Sequence, residues 1–310
     1  MMHIDGTFFE LTGDLINTII LFGLLFALII AYVIRLVVVG RARFDRVDRE
    51  GTGLLLKKGP MEMVYWSLQP FARLAVFFRV TPNMLSWACL VLGLAAGTCL
   101  AFGHFGFGAA FATVSALLDA LDGMVARMTG RASDAGEVLD ATVDRYSEFF
   151  FLGGLCVYYR DMSELVVLTL LALMGSFMVS YSTAKAEALQ VKPPRGNMRR
   201  TERAIFMTVG AALAPISIPW FETPAYLNVP VPVGYPMVLA VGIIAVLANF
   251  SAIERLVAIA KAVRARENQA REQLKQAEAL TEARQELEQI AGSDDAEAAP
   301  ANATSRSPKV

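Results

Sequence analysis

The chain has 310 residues, of which 55% are hydrophobic and only 18% charged, against about 25% charged in an ordinary soluble domain. The charge is thinner still before residue 261, because the segment 261–310 is polar. These figures argue against a soluble globule and against disorder over most of the chain, and a net charge of −1 excludes a strongly basic nucleic-acid binder.

A bilayer core of about 30 Å takes roughly 20 helical residues to cross, so uncharged runs mark the spans. Leu15–Ile34 is the first. It is longer than a signal-peptide core and lacks a basic leader, so it reads as a retained anchor. Residues 61–80 mix Trp66, Phe71, Leu74, Phe77 and Phe78 with Arg73 and Arg79, which suits a helix lying in the membrane interface. Val80–Leu118 carries no Asp, Glu, Lys or Arg and is interrupted by glycines at 103–108, predicting a hairpin of two spans. A span near 137–159 has charges in its first half. Leu165–Ala184 and Ala204–Phe221 follow, the latter with Pro215 and Pro219 near its far end. A Pro-rich loop from Thr223 leads into a last span from about Tyr235 to Ile253. Residues 254–292, rich in Ala, Glu, Gln, Arg and Leu, read as a polar helix leaving the membrane. Leu280 and Leu287 are a heptad apart, but Arg284 interrupts the seam. The tail beyond is expected to be disordered. Cys89, Cys99 and Cys156 lie in apolar runs without metal-ligand or disulfide spacing and read as small hydrophobes.

The expected fold is therefore an all-α integral membrane protein with seven membrane helices. Its segments are an anchor at 1–40, a juxtamembrane and interfacial stretch at 41–80, a six-span core at 81–256, a polar cytoplasmic helix at 257–292 and a tail at 293–310. Lys and Arg set the orientation. Residues 1–14 hold none, whereas Arg35, Arg41, Arg43, Arg46, Arg49, Lys57 and Lys58 follow the first span. Arg127 and Arg131, and Lys185, Lys192, Arg195, Arg199, Arg200 and Arg203, fall on the same side. That side is cytoplasmic, which puts the N-terminus outside and the C-terminus inside, in a bacterial-type inner membrane.

Acidic residues in a span cost about 3 kcal/mol each on insertion scales. Four of them, Asp119, Asp122, Asp140 and Asp144, nevertheless cluster near the inner ends of two adjacent spans. Asp119, Asp122, Gly123, Ala126 and Arg127 share one helical face, and so do Gly136, Asp140 and Asp144. The short polar turn 128–135 joins the two helices and lets the acidic faces meet. Four facing carboxylates stay ionised only around cations. All-oxygen ligands point to hard divalent ions, Mg²⁺ first, with Mn²⁺ or Ca²⁺ as alternatives, and four carboxylates suit two ions. Such a pair can clamp a diphosphate during in-line displacement. Gly123, Ala126 and Gly136 leave room for a ligand, and Arg127 can pair with a phosphate.

The run Asp119-x2-Asp122-Gly123-x2-Ala126-Arg127-x8-Gly136-x3-Asp140-x3-Asp144 resembles the signature of the CDP-alcohol phosphatidyltransferases, with every one of its fixed residues present. The resemblance implies a six-span core and a CDP-linked lipid donor, usually CDP-diacylglycerol. An alcohol hydroxyl attacks the lipid-bearing phosphorus and CMP leaves. It also implies two divalent ions on the four Asp residues, with Asp144 as the general base, a role that suits a carboxylate beside the metals. Asp119, Gly123, Ala126, Arg127 and Gly136, with Ser133 near the cytosine, would form the nucleotide pocket. A homodimer is implied as well, and no nucleic-acid partner.

The acceptor is expected near Ser180–Glu187 and the arginines at 199–203. This stretch resembles the phosphatidylinositol phosphate synthase branch, whose S-Y-x-K-A-R-A-E and E-R-x-E-R motifs are met with Thr183 for the first Lys, Lys185 for the Arg and Arg199 for a Glu. Thr183, Lys185, Arg200 and Arg203 are the candidate acceptor ligands, and inositol phosphate is the leading acceptor. Glycerol 3-phosphate or serine is the alternative within the same chemistry. A non-catalytic divalent-cation transporter or membrane scaffold is the alternative outside it, although a transporter needs acids distributed along a pathway and these sit at one level.

Overall fold

The computed structural model describes residues 4–40, 58–191, 198–218 and 232–297. The basic segment 41–57, Lys192, Arg195, Pro219, most of the Pro-rich loop and the chain beyond 297 lie outside the described residues. Within them the fold is all-helical. The eight helices are α1 (Ile4–Val38), α2 (Lys58–Phe77), α3 (Pro82–Ala101), α4 (Phe105–Met128), α5 (Asp134–Tyr158), α6 (Ser163–Ala188), α7 (Arg200–Ser217) and α8 (Tyr235–Glu297).

Local chemistry sets the helix ends. The Thr81 hydroxyl accepts the Met84 N–H at 3.3 Å and Pro82 occupies the first turn of α3, a favoured opening. The break between α3 and α4 is shorter than the glycine run suggested. Gly103 alone turns the chain, at φ +84°, and helix resumes at Phe105. The expected last span and polar helix form one continuous helix, α8, which runs on to Glu297 rather than stopping at 292. No glycine or proline stands between the apolar and polar halves to end it.

Helix α3 packs on α4 and α5, α6 packs on α8, and α7 bridges α4 and α8. The α3–α5 crossing is a backbone contact. A methyl group at Gly97 would collide with the Phe150 carbonyl, and one at Gly154 with the Gly97 carbonyl, so only glycine permits this approach. Between α3 and α4, Ser115 Oγ donates to the Cys89 carbonyl at 2.9 Å and Cys89 Sγ to the Ser115 carbonyl at 3.4 Å. Between α6 and α8, Asn249 Nδ2 donates to the Leu171 carbonyl at 2.9 Å. Each bond removes a polar group from a lipid-like surrounding. Outward, Trp87, Val91, Leu94, Leu170, Met174, Leu239, Val246 and Phe250 are exposed, a surface that only lipid covers comfortably.

Five helical stretches are long and apolar enough to cross a membrane, namely Thr12–Val38, Pro82–Ala101, Phe105–Met128, Ser163–Ala188 and the segment starting at Tyr235. The protein is a multi-pass integral membrane protein. Seven spans were expected. Helices α5 and α7 fall short of that measure because α5 carries Asp134, Glu137, Asp140, Asp144, Arg145 and Glu148, and α7 opens on Arg200, Glu202 and Arg203.

Helix α1 is docked, not merely tethered. The Asp14 carboxylate accepts the Phe107 N–H at 3.0 Å and lies 3.6 Å from His104 Nδ1, so it satisfies a donor that the first turn of α4 leaves open. At the other end Tyr32 donates to Glu62 Oε2 at 3.1 Å and Arg35 stacks 5.7 Å from the Trp66 ring. Helix α2 in turn packs Tyr65, Leu68 and Ala72 against Leu121, Met124 and Val125 of α4.

Candidate active site

Asp119 and Asp122 stand near the end of α4, and Asp140 and Asp144 in the first half of α5, across the turn 129–133. That turn folds back because Thr129 ends α4, Gly130 takes φ +65° and Ser133 caps α5 by accepting the Gly136 N–H at 3.2 Å. One carboxylate oxygen each from Asp119, Asp140 and Asp144 lies within 4.8 Å of the others. Asp122 is outside that group. It is buried, and its Oδ2 accepts the Ser86 hydroxyl of α3 at 2.7 Å.

Arg200 opens α7 beside these acids. Its Nη1 donates to Asp119 at 3.1 and 3.3 Å, and its Nη2 pairs with Asp144. Three converging carboxylates repel one another, and a cation between them relieves that repulsion. The Arg200 guanidinium supplies that charge to Asp119 and Asp144. The cluster's all-oxygen donor set fits a hard divalent cation such as Mg²⁺ or Mn²⁺.

The remaining candidates separate. Gly123, Ala126 and Gly136 are half-buried and Arg127 is exposed, on the faces expected of them. The Ser133 hydroxyl is engaged as the α5 cap. Lys185 is exposed. Arg203 is fully buried. Its Nε and Nη2 donate to Glu148 at 2.7 and 3.1 Å, and Nη1 reaches the Met198 carbonyl at 3.4 Å. Thr183 donates to the Val179 carbonyl at 3.2 Å and accepts from Arg255 Nη1 at 3.1 Å. A cavity of about 70 Å³ runs from Asp144 and Arg200 to Glu148, past Ser115, Ser147 and Thr208.

Sequence reasoning missed Ser86, Glu148 and Arg255. Glu148 had a legible signal, since it is an acid four residues after Asp144 and therefore on the same face. Ser86 and Arg255 had none, because a serine in an apolar run and an arginine at a helix's polar border are both ordinary.

Residues 79–233 match the family model described as CDP-alcohol phosphatidyltransferase. The phosphatidylinositol phosphate synthase of Mycolicibacterium smegmatis is 34% identical over 167 residues, covering 52% of this chain and 73% of that protein. The synthase of Corynebacterium glutamicum is 34% identical over 160 residues, covering 49% and 72%. The crystal structure of Mycobacterium tuberculosis phosphatidylinositol phosphate synthase with CDP-DAG bound superposes with a TM-score of 0.52 at 28% identity, over 61% of this chain and 92% of that one. The same enzyme with manganese and citrate gives 0.53, over 61% and 87%. The fold and the acidic cluster thus define a membrane-embedded transferase of phospholipid synthesis. The chain belongs to the CDP-alcohol phosphatidyltransferase family.

Proposed function

We propose that this enzyme moves the phosphatidyl group of CDP-diacylglycerol to inositol phosphate and releases CMP. The observation that carries the reading is Arg200 at the Asp119, Asp140 and Asp144 cluster, which joins the metal site to a cationic side suited to a phosphorylated acceptor. The relatives at 34% identity named phosphatidylinositol phosphate synthase support that choice of acceptor, and the CDP-DAG-bound structure of one supports the donor.

In the reaction the acceptor hydroxyl oxygen bonds to the phosphorus that carries diacylglycerol. The bond from that phosphorus to the CMP oxygen breaks, and CMP leaves. Asp144 takes the hydroxyl proton. Asp119, Asp122, Asp140 and Asp144 would hold two divalent cations, Mg²⁺ or Mn²⁺, which when bound offset the negative charge of the diphosphate. Asp119, Gly123, Ala126, Arg127, Ser133 and Gly136 line the nucleotide side. Ser86 fixes Asp122 by its 2.7 Å bond, so the carboxylate meets a ligand already oriented. Arg200 and Lys185 make the acceptor side positive, while Arg203, paired with Glu148, braces α7 behind them.

The same reading makes α5 and α7 spans of a six-span core at 81–256. Their charges are tolerable there because they face the bundle and one another rather than lipid. Helix α1 is an additional span with its N-terminus outside, the site opens to the cytoplasm, and two copies pair as a homodimer. The test is CMP release by purified protein given CDP-diacylglycerol, Mg²⁺ and a panel of inositol phosphate, inositol, glycerol 3-phosphate and serine. Turnover only with inositol phosphate is the expected result. Turnover with glycerol 3-phosphate or serine instead overturns the acceptor, and no CMP with any alcohol overturns the proposed reaction.

A further inference from the structure

A groove of about 700 Å³ opens between the C-terminal half of α1 and one face of α2, a volume within the range of about 300–1,000 Å³ usual for small-molecule sites. All of its lining residues precede residue 79, where the match to the family model begins. The reaction above uses none of them. Leu28 and Ala31 of α1 form one wall, and Trp66, Phe71, Leu74 and Phe77 of α2 the other. Helical spacing puts Trp66, Arg73 and Phe77 on one face of α2, opposite Tyr65, Leu68 and Ala72, which are buried against α4. The Tyr32–Glu62 bond and the Arg35–Trp66 contact join the two helices beside the groove. This is the end of the bundle that holds the acidic cluster, since α2 rests on Leu121, Met124 and Val125 of α4.

Location and charge together select the occupant. Leu28 and Ala31 belong to the membrane-crossing stretch Thr12–Val38, and Phe71, Leu74 and Phe77 are exposed. Acyl chains cover such walls without leaving any polar group unsatisfied. Arg73 is exposed on the groove, and Gln69 lines it too. Neither has a hydrogen-bond or ion-pair partner among the described residues. No Asp or Glu lines the groove, and Arg35, over the Trp66 ring, adds a second positive charge. A long arginine reaches from apolar surroundings to the headgroup layer, where its fork matches a phosphodiester. A zwitterionic lipid would bring its own cation to these arginines, whereas an anionic lipid brings none.

We propose that the α1–α2 groove binds an anionic glycerophospholipid, with an acyl chain between Leu28, Ala31 and Leu74, Phe77 and its phosphate on Arg73 and Gln69. This lipid is a resident ligand, separate from the CDP-linked donor at the acidic cluster. It fills the space between α1 and the helix that braces α4.

Tryptophan quenching tests the site. Trp87→Phe with Trp220→Phe leaves Trp66 as the reporter in the groove, and Trp66→Phe with Trp220→Phe leaves Trp87, exposed on α3, as the reporter of bulk lipid. Each protein is placed in bilayers with rising fractions of chain-brominated phosphatidylglycerol or phosphatidylcholine. Phosphatidylglycerol should half-quench Trp66 at a mole fraction about fivefold lower than phosphatidylcholine does, the scale of one interfacial basic side chain. Trp87 should not distinguish the two lipids. Arg73→Gln should abolish the preference at Trp66. Ala31→Phe, which fills the groove from an exposed position, should weaken quenching of Trp66 by both lipids. Equal quenching of Trp66 by the two lipids overturns the site, as does the same preference at Trp87 or a preference that survives Arg73→Gln. Unchanged quenching in Ala31→Phe overturns the placement of the chain. No quenching by either lipid means that protein, such as a second copy, covers the groove, and this also overturns the proposal. Unbrominated CDP-diacylglycerol that restores Trp66 emission more strongly than unbrominated phosphatidylglycerol assigns the groove to the donor and overturns the resident lipid.

Discussion

Glu148→Gln isolates the buried ion pair that ties α5 to α7. Arg203 is fully buried, Glu148 nearly so, and two bonds of 2.7 and 3.1 Å make a fork-to-carboxylate contact. Glutamine keeps the volume and one acceptor but removes the charge, leaving the guanidinium uncompensated. Removing one partner of such a pair costs about 3–5 kcal/mol. The retained acceptor puts this variant near the lower figure. At about 2–4 °C per kcal/mol for a domain of this size class, Tm should fall by roughly 10 °C. Glu148→Leu combined with Arg203→Met removes both charges and should recover most of the loss, because a buried pair replaced by apolar groups is often near neutral. Thermal unfolding of the detergent-solubilised protein, followed by intrinsic fluorescence, measures all three variants. A fall of under about 2 °C for Glu148→Gln, on that same scale, refutes the reasoning, and so does a double variant less stable than the single one.

Asp144→Asn should lower kcat by at least about 100-fold, the lower range for a lost general base, while CDP-diacylglycerol still binds in an equilibrium assay. Asp119→Asn should weaken Mn²⁺ binding, read by calorimetry, because Asp119 belongs to the three-carboxylate group and also holds Arg200. EDTA should abolish CMP release from the wild type, and added Mg²⁺ or Mn²⁺ should restore it. Gly154→Ala forces a methyl group against the Gly97 carbonyl and should cost about 1–3 kcal/mol of stability, seen as a lower Tm with an unchanged metal affinity.

Periodicity and charge spacing made much of this protein legible in its sequence. Lipid demands long apolar helices, so the uncharged runs Leu15–Ile34, Val80–Leu118 and Leu165–Ala184 stand out in composition alone. A helix repeats every 3.6 residues, so the spacing of Asp119, Asp140 and Asp144 put each on a predictable face. Their convergence follows once the turn 129–133 sends the chain back and both α4 and α5 pack on α3.

The partners of those residues could not be read the same way, because they are chosen by packing between segments far apart in the chain. Asp122 is oriented by Ser86, 36 residues away, and Arg203 is neutralised by Glu148, 55 residues away. Arg200, Arg203 and Arg255 carry the same charge and look alike in the sequence. Burial and neighbours place them differently: a cation at the acidic cluster, a strut between α5 and α7, and a buried guanidinium bonded to Thr183 of α6. Residue type and helical period are properties of a single helix, whereas desolvation and pairing arise only where several helices meet.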